Sequence, residues 1–192
     1  MSVDNYIIVI TGLGGQGLIS MLKTLGQALL TMGYRVITSE THGLSQRGGK
    51  VTCFLRFGSK LNAPIPMMGT ADMIIALEES SILDTLKFVK PDKSTRLVIS
   101  TYEKEIIDKK YPSLNYLIDI LFEHSDKIYF IPATSIAEEV IKSPKVSNTV
   151  IMGFILRFLP IRKELLEDSL KEQLIGRDLD VNLKAFEEGR NL

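Results

Sequence analysis

The segment Tyr6-Ile-Ile-Val-Ile-Thr-Gly-Leu-Gly-Gly-Gln-Gly17 joins a short apolar run to a glycine-rich turn. A continuous β-branched run of this length is typical of a parallel strand that is buried on both faces. Apolar residues then recur at spacings of three and four from Leu18 to Met32, which predicts a helix that ends at Gly33. A second β-branched run follows at 35–38. The order strand, glycine turn, helix and strand predicts a right-handed βαβ unit.

The rest of the chain extends this unit to a Rossmann-like three-layer α/β domain with a mostly parallel sheet and a helical C-terminal third. Pro64 and Pro66 exclude regular helix and central strand from 62–66, so we expect an extended loop there. Asn148 is expected to cap a helix, and Gly189 is expected to end the last one. No repeat or linker divides the 192 residues, so we expect one domain over 1–192. Further strands are predicted at 51–57, 73–76, 97–100 and 127–131, and helices at 78–89, 103–109, 135–141, 148–158, 162–174 and 179–188.

Composition narrows the class of protein. Hydrophobic residues make up 45% of the chain, and 23 basic residues balance 23 acidic ones, which argues against disorder and against non-specific nucleic-acid binding. The one cysteine, Cys53, cannot form an internal disulfide, a zinc site of cysteine pairs or a four-thiolate iron–sulfur cluster. Its apolar strand favours a buried, inert thiol over a redox role. No signal-like segment or membrane-length apolar stretch is visible, so we expect a soluble cytoplasmic protein.

The glycine turn is the first candidate site. Gly12, Gly14 and Gly17 fit G-x-G-x-x-G between a strand and a helix, where Gly12 would allow a tight turn, Gly14 the approach of a ligand and Gly17 close helix–strand packing. The helix start favours an anion. Glu40 lies where a dinucleotide fold places its ribose-binding acid, which would suggest NAD or FAD. Gly15-Gln16 is unusual in that pattern, so a structural turn with anion affinity stays open.

The second candidate site is His42-Gly-Leu-Ser-Gln-Arg-Gly-Gly49, which follows the second strand. Arg47 could offer a planar fork of donors to a phosphate or carboxylate, and Gly48 and Gly49 would allow close backbone approach. Arg47 could equally make an interface contact. His42 could act in acid–base chemistry, but no nucleophile or metal-ligand spacing accompanies it, so a hydrogen-bonded strut is the alternative.

Together these motifs resemble a known family. Gly12-Leu-Gly-Gly-Gln-Gly17 followed by Gln46-Arg-Gly-Gly49 is similar to the gamma-type domain of 2-oxoacid:ferredoxin oxidoreductases. The form of the loop that begins at His42 resembles the beta subunits of the indolepyruvate type. Further similarity lies at Leu55-Arg-Phe-Gly58, Ile65-Pro-Met-Met-Gly-Thr-Ala-Asp72, Asn148-Thr-Val-Ile-Met-Gly153 and Asn182-Leu-Lys-Ala-Phe-Glu-Glu-Gly-Arg190, so the resemblance covers nearly the whole chain.

The resemblance implies a non-cluster subunit of an enzyme that oxidatively decarboxylates an aryl 2-oxo acid to its acyl-CoA and CO2 and reduces ferredoxin. Thiamine diphosphate and iron–sulfur clusters would belong to a larger alpha subunit, coenzyme A would be a co-substrate, and this chain would be inactive alone, with no catalytic residue or metal ligand. Its own part would be to hold an anionic group, such as part of coenzyme A, or to brace the interface. The candidate residues are Gly12, Gly14, Gly15, Gln16, Gly17, Arg47, Gly48 and Gly49.

Three other functions stay open at this point. Within the family, the chain could be the gamma subunit of a pyruvate, 2-oxoglutarate or branched-chain enzyme. Outside it, the chain could be a stand-alone nucleotide-binding protein, which NAD(P)H or FAD titration would reveal. It could also be an interaction module without a ligand, in which case substitutions in the glycine turn would change assembly and never the dependence on coenzyme A.

Overall fold

The structure, a computed structural model, describes residues 3–42, 49–101, 114–174 and 177–192. A mixed six-stranded sheet forms the centre of this part of the chain. The strand order is β2-β3-β1-β4-β5-β6. The neighbours β1, β4, β5 and β6 are parallel, and β3 is antiparallel to both of its neighbours. The strands are β1 (Tyr6–Leu13), β2 (Arg35–His42), β3 (Lys50–Gly58), β4 (Met73–Ala76), β5 (Arg96–Ser100) and β6 (Lys127–Ile131).

Helices cover both faces of this sheet, and most of the C-terminal third is helical, as predicted. The α-helices are α1 (Leu18–Thr31), α2 (Leu114–His124), α3 (Ala133–Ser135), α4 (Ser147–Ile155), α5 (Lys163–Gln173) and α6 (Arg177–Arg190). Glu79–Phe88, Pro144–Val146 and Leu156–Phe158 form 3₁₀ helices, and Ile136–Val140 forms a π-helix that continues α3.

The position of β3 differs from the simple βαβ expectation. Strands β1 and β2 are parallel to each other, as predicted, but they are not neighbours, because β3 lies between them and pairs with both. Strands β2 and β3 therefore form an antiparallel pair, and the end of β2 and the start of β3 lie at the carboxyl end of β1. This edge of the sheet is where parallel α/β folds bind their ligands.

Several local predictions need correction. The segment predicted as a helix at 78–89 is a 3₁₀ helix, Glu79–Phe88. Helix α2 was not predicted, and the helix expected at 103–109 lies outside the described residues. Asn148 is not the cap of α4, because the helix begins one residue earlier and Val146 holds the cap position. Gly189 does not end α6, which continues to Arg190.

Two hydrophobic cores lie on opposite faces of the sheet. One joins even-numbered residues of β1, such as Ile8 and Ile10, to α1, α4, α5 and α6, and the other joins Ile7 and Val9 to the first 3₁₀ helix and α2. Cys53 of β3 is fully buried in the first core. Burial, together with the nearby carboxylate of Glu40, raises the pKa of its thiol to about 11. The thiol is therefore protonated near neutral pH and packs as an apolar side chain, as predicted.

Helices α4 and α6 approach each other so closely that glycine is required on both. A Cβ atom on Gly153 would overlap the carbonyl oxygen of Phe186 and lie 2.9 Å from the backbone nitrogen of Arg190. A Cβ atom on Gly189 would overlap the carbonyl oxygen of Val150 and lie 3.1 Å from the backbone nitrogen of Phe154. Gly189 therefore lies inside α6 because its missing side chain allows α4 to approach, and it does not serve as a stop signal for the helix.

Candidate functional site

The glycine turn connects β1 to α1 at the carboxyl edge of the sheet. Gly12 still belongs to β1, and the chain reverses through Gly14–Gly17. Gly15 and Gly17 have φ angles of +95° and +81°, which L side chains rarely adopt, so glycine is required at both positions. Gly17 is the cap residue of α1, no side chain caps this helix, and its first turn carries no acidic residue. Such a helix start favours a negatively charged group.

The side chain of Gln16 connects the turn to β1 and to the residue that follows β4 through two hydrogen bonds. Its Oε1 accepts a hydrogen bond from the backbone N–H of Leu13 at 2.7 Å, and its Nε2 donates to the carbonyl oxygen of Leu77 at 3.1 Å. The side chain passes so close to Gly12 that a Cβ there would lie 2.7 Å from Oε1. Gly12 therefore makes room for Gln16, and both polar atoms of the Gln16 side-chain amide bind the protein's own backbone.

The glycine turn contacts Gly49, the last residue of the second glycine-rich segment. The backbone N–H of Gly14 donates to the carbonyl oxygen of Gly49 at 3.0 Å, which ties the start of β3 to the turn. Arg47 and Gly48 lie outside the described residues, and His42 is the last residue of β2. The structure therefore brings together six of the eight candidate residues: Gly12, Gly14, Gly15, Gln16, Gly17 and Gly49.

Gly17 contacts α4, and this corrects the expectation that it packs helix against strand. The Nδ2 atom of Asn148 donates to the carbonyl oxygen of Gly17 at 3.3 Å. A Cβ on Gly17 would overlap this amide and lie 3.1 Å from its Cγ atom. Asn148 thus occupies the space that a side chain on residue 17 would need.

Two cavities flank the turn. A small one of about 190 Å³ is lined by Gly15, Gln16, Thr134, Glu138 and Lys145, among others. A larger cleft of about 500 Å³ is lined by Gly17, Ser20, Lys142, Ser143 and Lys145, among others. The exposed Lys145 lines both cavities, so it adds a positive charge near the helix start.

Sequence reasoning missed these lysines. They lie in the segment between the π-helix and α4, more than 120 positions after the turn. No motif links Lys142 or Lys145 to the glycines, and only the docking of α4 against Gly17 brings them near. The available signal was indirect: Asn148 opens a helix within the helical tail, where the family resemblance is also found.

Glu78 is a third polar residue at this edge of the sheet that the sequence analysis did not single out. It follows β4 at the same edge of the sheet and is fully buried. Its carboxylate accepts hydrogen bonds from the backbone N–H of Ser80 at 2.9 Å and from the hydroxyl groups of Ser80 and Ser81. These contacts make Glu78 the cap of the first 3₁₀ helix.

The strand order does not match a dinucleotide site. In such folds the acid that binds the ribose ends the strand next to β1. Here β3 occupies that place, and Glu40 pairs in register with Cys53, which in turn pairs with Ile10 of β1. Glu40 is thus two strands from β1, about 10 Å at the usual strand spacing. The geometry favours an anion at the turn over a whole dinucleotide.

Among the described residues, no group of three or more His, Cys, Asp or Glu side chains is placed to hold a metal ion. Within the same residues, no helix is both long and apolar enough to cross a membrane.

Comparison with curated proteins gives relatives over nearly the whole chain. The indolepyruvate oxidoreductase subunit IorB of Archaeoglobus fulgidus is 33% identical over 96% of this chain and 93% of its own. The IorB subunit of Thermococcus kodakarensis is 31% identical over 97% of this chain and 95% of its own. The common gamma subunit of the pyruvate/ketoisovalerate oxidoreductases from the same organism is 29% identical over 94% of this chain and 92% of its own.

Solved structures share the fold. Subunit PORC of pyruvate oxidoreductase from Thermotoga maritima matches with a TM-score of 0.73 and 19% identity over 97% of this chain and 96% of its own. A 2-oxoglutarate:ferredoxin oxidoreductase from Magnetococcus marinus, with 2-oxoglutarate, coenzyme A and succinyl-CoA bound, matches with a TM-score of 0.77 and 24% identity. The match covers 98% of this chain and 31% of that longer one. The model of the pyruvate ferredoxin/flavodoxin oxidoreductase family matches residues 7–192, and the chain belongs to this family.

Proposed function

We propose that this chain is the small, non-catalytic subunit of an indolepyruvate:ferredoxin oxidoreductase. One observation carries the proposal: IorB subunits from four organisms are 31–33% identical over 96–97% of this chain. The enzyme would remove CO2 from an aryl 2-oxo acid, pass the acyl group to coenzyme A and transfer two electrons to ferredoxin. The second candidate is a gamma subunit that serves a pyruvate or branched-chain enzyme, and relatives of 27–29% identity support it.

The redox and decarboxylation chemistry would lie on a larger partner subunit. The lone thiol, Cys53, cannot supply the four thiolates that an iron–sulfur cluster needs, and it is buried in the core. When bound to that partner, thiamine diphosphate would supply the electrophilic centre for decarboxylation, and the clusters would carry electrons to ferredoxin. This chain would complete the site from one side.

The part of this chain would be to hold an anionic group of coenzyme A, and the carboxyl edge of its sheet suits that part. The uncapped start of α1 presents backbone N–H groups, and Lys145 lines the cavities on both sides of it. Glu138 also lines the small cavity, and the larger cleft has two lysines, Lys142 and Lys145, beside one acidic residue, Asp178. From the sequence, Arg47 and Gly48 belong to the same proposed site.

Purification and substrate assays test the proposed function. The tagged chain, isolated anaerobically from its own host, should bring with it a larger partner with iron–sulfur absorbance. The complex should reduce a viologen dye with indolepyruvate only when coenzyme A is present. A clear preference for pyruvate or a branched-chain 2-oxo acid would favour the second candidate, and a colourless chain without a partner would contradict both.

Lys145→Ala and Arg47→Ala test the anion site within the assembled complex. Loss of one cation near a bound anion should raise the KM for coenzyme A by about fivefold, with kcat and assembly little changed. Lys171→Ala is the matched control, because Lys171 lies on α5 and pairs with Asp168 at 2.9 Å. If all three variants and the unmodified complex have equal KM values for coenzyme A, the segments that carry Lys145 and Arg47 do not bind the ligand and can only contribute to the subunit interface.

A further inference from the structure

A chain of hydrogen bonds runs from the glycine turn to the C-terminal helix. Asn148 donates to the carbonyl oxygen of Gly17, and its Oδ1 accepts from the backbone N–H of Thr149 at 2.9 Å and lies 3.4 Å from the hydroxyl oxygen of Thr149. The hydroxyl of Thr149 donates to Oδ1 of Asn182 at 2.5 Å, and Nδ2 of Asn182 donates to the carbonyl oxygen of Asp178 at 2.7 Å. We call the side chains of Asn148, Thr149 and Asn182 the polar relay.

Two of the three side chains of the polar relay are buried, and the helices that carry them pack tightly. Asn148 is 6% exposed and Thr149 is 1% exposed, so breaking their hydrogen bonds would leave polar groups away from water. The helices that carry the relay are fixed by the backbone contact at Gly153 and Gly189. Asn148 therefore contacts Gly17 from a helix, α4, whose position is fixed by its close packing against α6.

The carbonyl group of Gly17 controls the start of α1. It accepts the first hydrogen bond of the helix, from Met21 at 2.9 Å, and the hydrogen bond from Asn148 fixes it from the side. The peptide plane at this position sets the direction of the backbone N–H groups that follow in the first turn of α1. These are the groups that face an anion at a helix start.

We propose that Asn148 is a positioning residue, which acts through Gly17 to orient the first turn of α1 toward the anionic group of its ligand. This inference rests on the proposed function, in which that group belongs to coenzyme A. Thr149 and Asn182 act in turn by holding Asn148. In this proposal the relay acts on the binding of the ligand and not on the chemical step.

Two substitutions in the assembled complex test the relay. Asn148→Leu replaces the amide with an uncharged side chain of similar size, and Thr149→Val removes only the hydroxyl. Asn148→Leu should raise the KM for coenzyme A by about fivefold, while kcat at saturating coenzyme A changes by less than about twofold. Thr149→Val should raise the KM for coenzyme A by a smaller factor. Thr149→Ser keeps the hydroxyl, so its KM should equal that of the unmodified complex.

A matched control separates positioning from loss of stability. Thr85 is 1% exposed, lies in the first 3₁₀ helix on the other face of the sheet, and donates to the carbonyl oxygen of Ile82 at 2.7 Å. Thr85→Val should lower the melting temperature as Thr149→Val does, but leave the KM for coenzyme A unchanged. If Asn148→Leu prevents assembly, the comparison of Thr149→Val with Thr149→Ser decides the result.

The outcomes distinguish this inference from the proposed function. Unchanged KM values in Asn148→Leu and Thr149→Val, with a raised KM in Lys145→Ala, would overturn the positioning role and leave the proposed anion site intact. Unchanged KM values in all the variants of the turn and the relay would contradict both. A raised KM in Asn148→Leu together with rescue by Thr149→Ser would support the relay.

Discussion

Gly189→Ala should destabilise the protein by about 3 kcal/mol, at the upper end of what overpacking costs. The new methyl group would overlap the carbonyl oxygen of Val150 and lie 2.8 Å from its carbonyl carbon. These are backbone atoms of α4, so no side-chain rotation can relieve the overlap. Alanine is favoured over glycine in a helix by only about 1 kcal/mol, which is too little to compensate. The expected fall in melting temperature is about 10 °C.

Gly26→Ala is the matched control for this substitution. Gly26 also lies inside a helix, α1, but a Cβ there would meet side-chain atoms of Leu55, Val36 and Thr38 at 3.8–3.9 Å, which are ordinary contacts. The same change should therefore raise stability by about 0.5–1 kcal/mol through helix propensity. Equal melting temperatures for the two variants, measured by calorimetry on the same complex, would show that α4 and α6 do not meet as described.

Gln16→Ala should have the second largest effect, on stability and on the glycine turn together. The substitution removes the acceptor for the N–H of Leu13 and the donor to the carbonyl oxygen of Leu77. Two half-buried polar groups would lose their partners, which costs about 2 kcal/mol in total after partial access of water. The turn would also lose its connection to the end of β4, so a raised KM for coenzyme A should accompany the lower melting temperature.

Gln16→Glu separates the two hydrogen bonds of Gln16. A glutamate keeps the acceptor for Leu13, but when ionised it places a carboxylate oxygen against the carbonyl oxygen of Leu77. This repulsion disfavours the charged form, so the pKa of the new carboxyl group should be higher in the folded than in the unfolded state. The variant should therefore be most stable at acidic pH and lose stability, relative to the unmodified protein, as pH rises through that pKa. Parallel pH profiles would contradict the role assigned to Nε2.

Much of the fold could be predicted from the sequence because local patterns determine it. The run before Gly12 and the helix after Gly17 are each specified by residues next to one another. The antiparallel insertion of β3 could not be predicted in the same way, because a strand buried on both faces has the same apolar composition in either direction. Helix α2 was overlooked although Leu117 and Leu121 have helical spacing.

The site was predictable only in part. The two glycine-rich segments could be placed at one edge of the sheet because both follow strands that run in the same direction. The sequence did not show that Gln16 and Gly14 bind the protein's own backbone. It suggested a helix cap for Asn148, since that is the common local use of asparagine. Its actual partner lies 131 positions away, and local propensity carries no information about such a contact.

The hydrogen bond between Gly17 and Asn148 also sets an order of events during biosynthesis. All six strands described here precede Asn148 in the chain, so the ribosome finishes them before the support of the glycine turn has been made. A nascent chain could pair its strands while the turn still lacks its contact with α4. Completion of this edge would therefore coincide with the arrival of the C-terminal helices, and a chain truncated before α4 would lack the side chain that supports the turn.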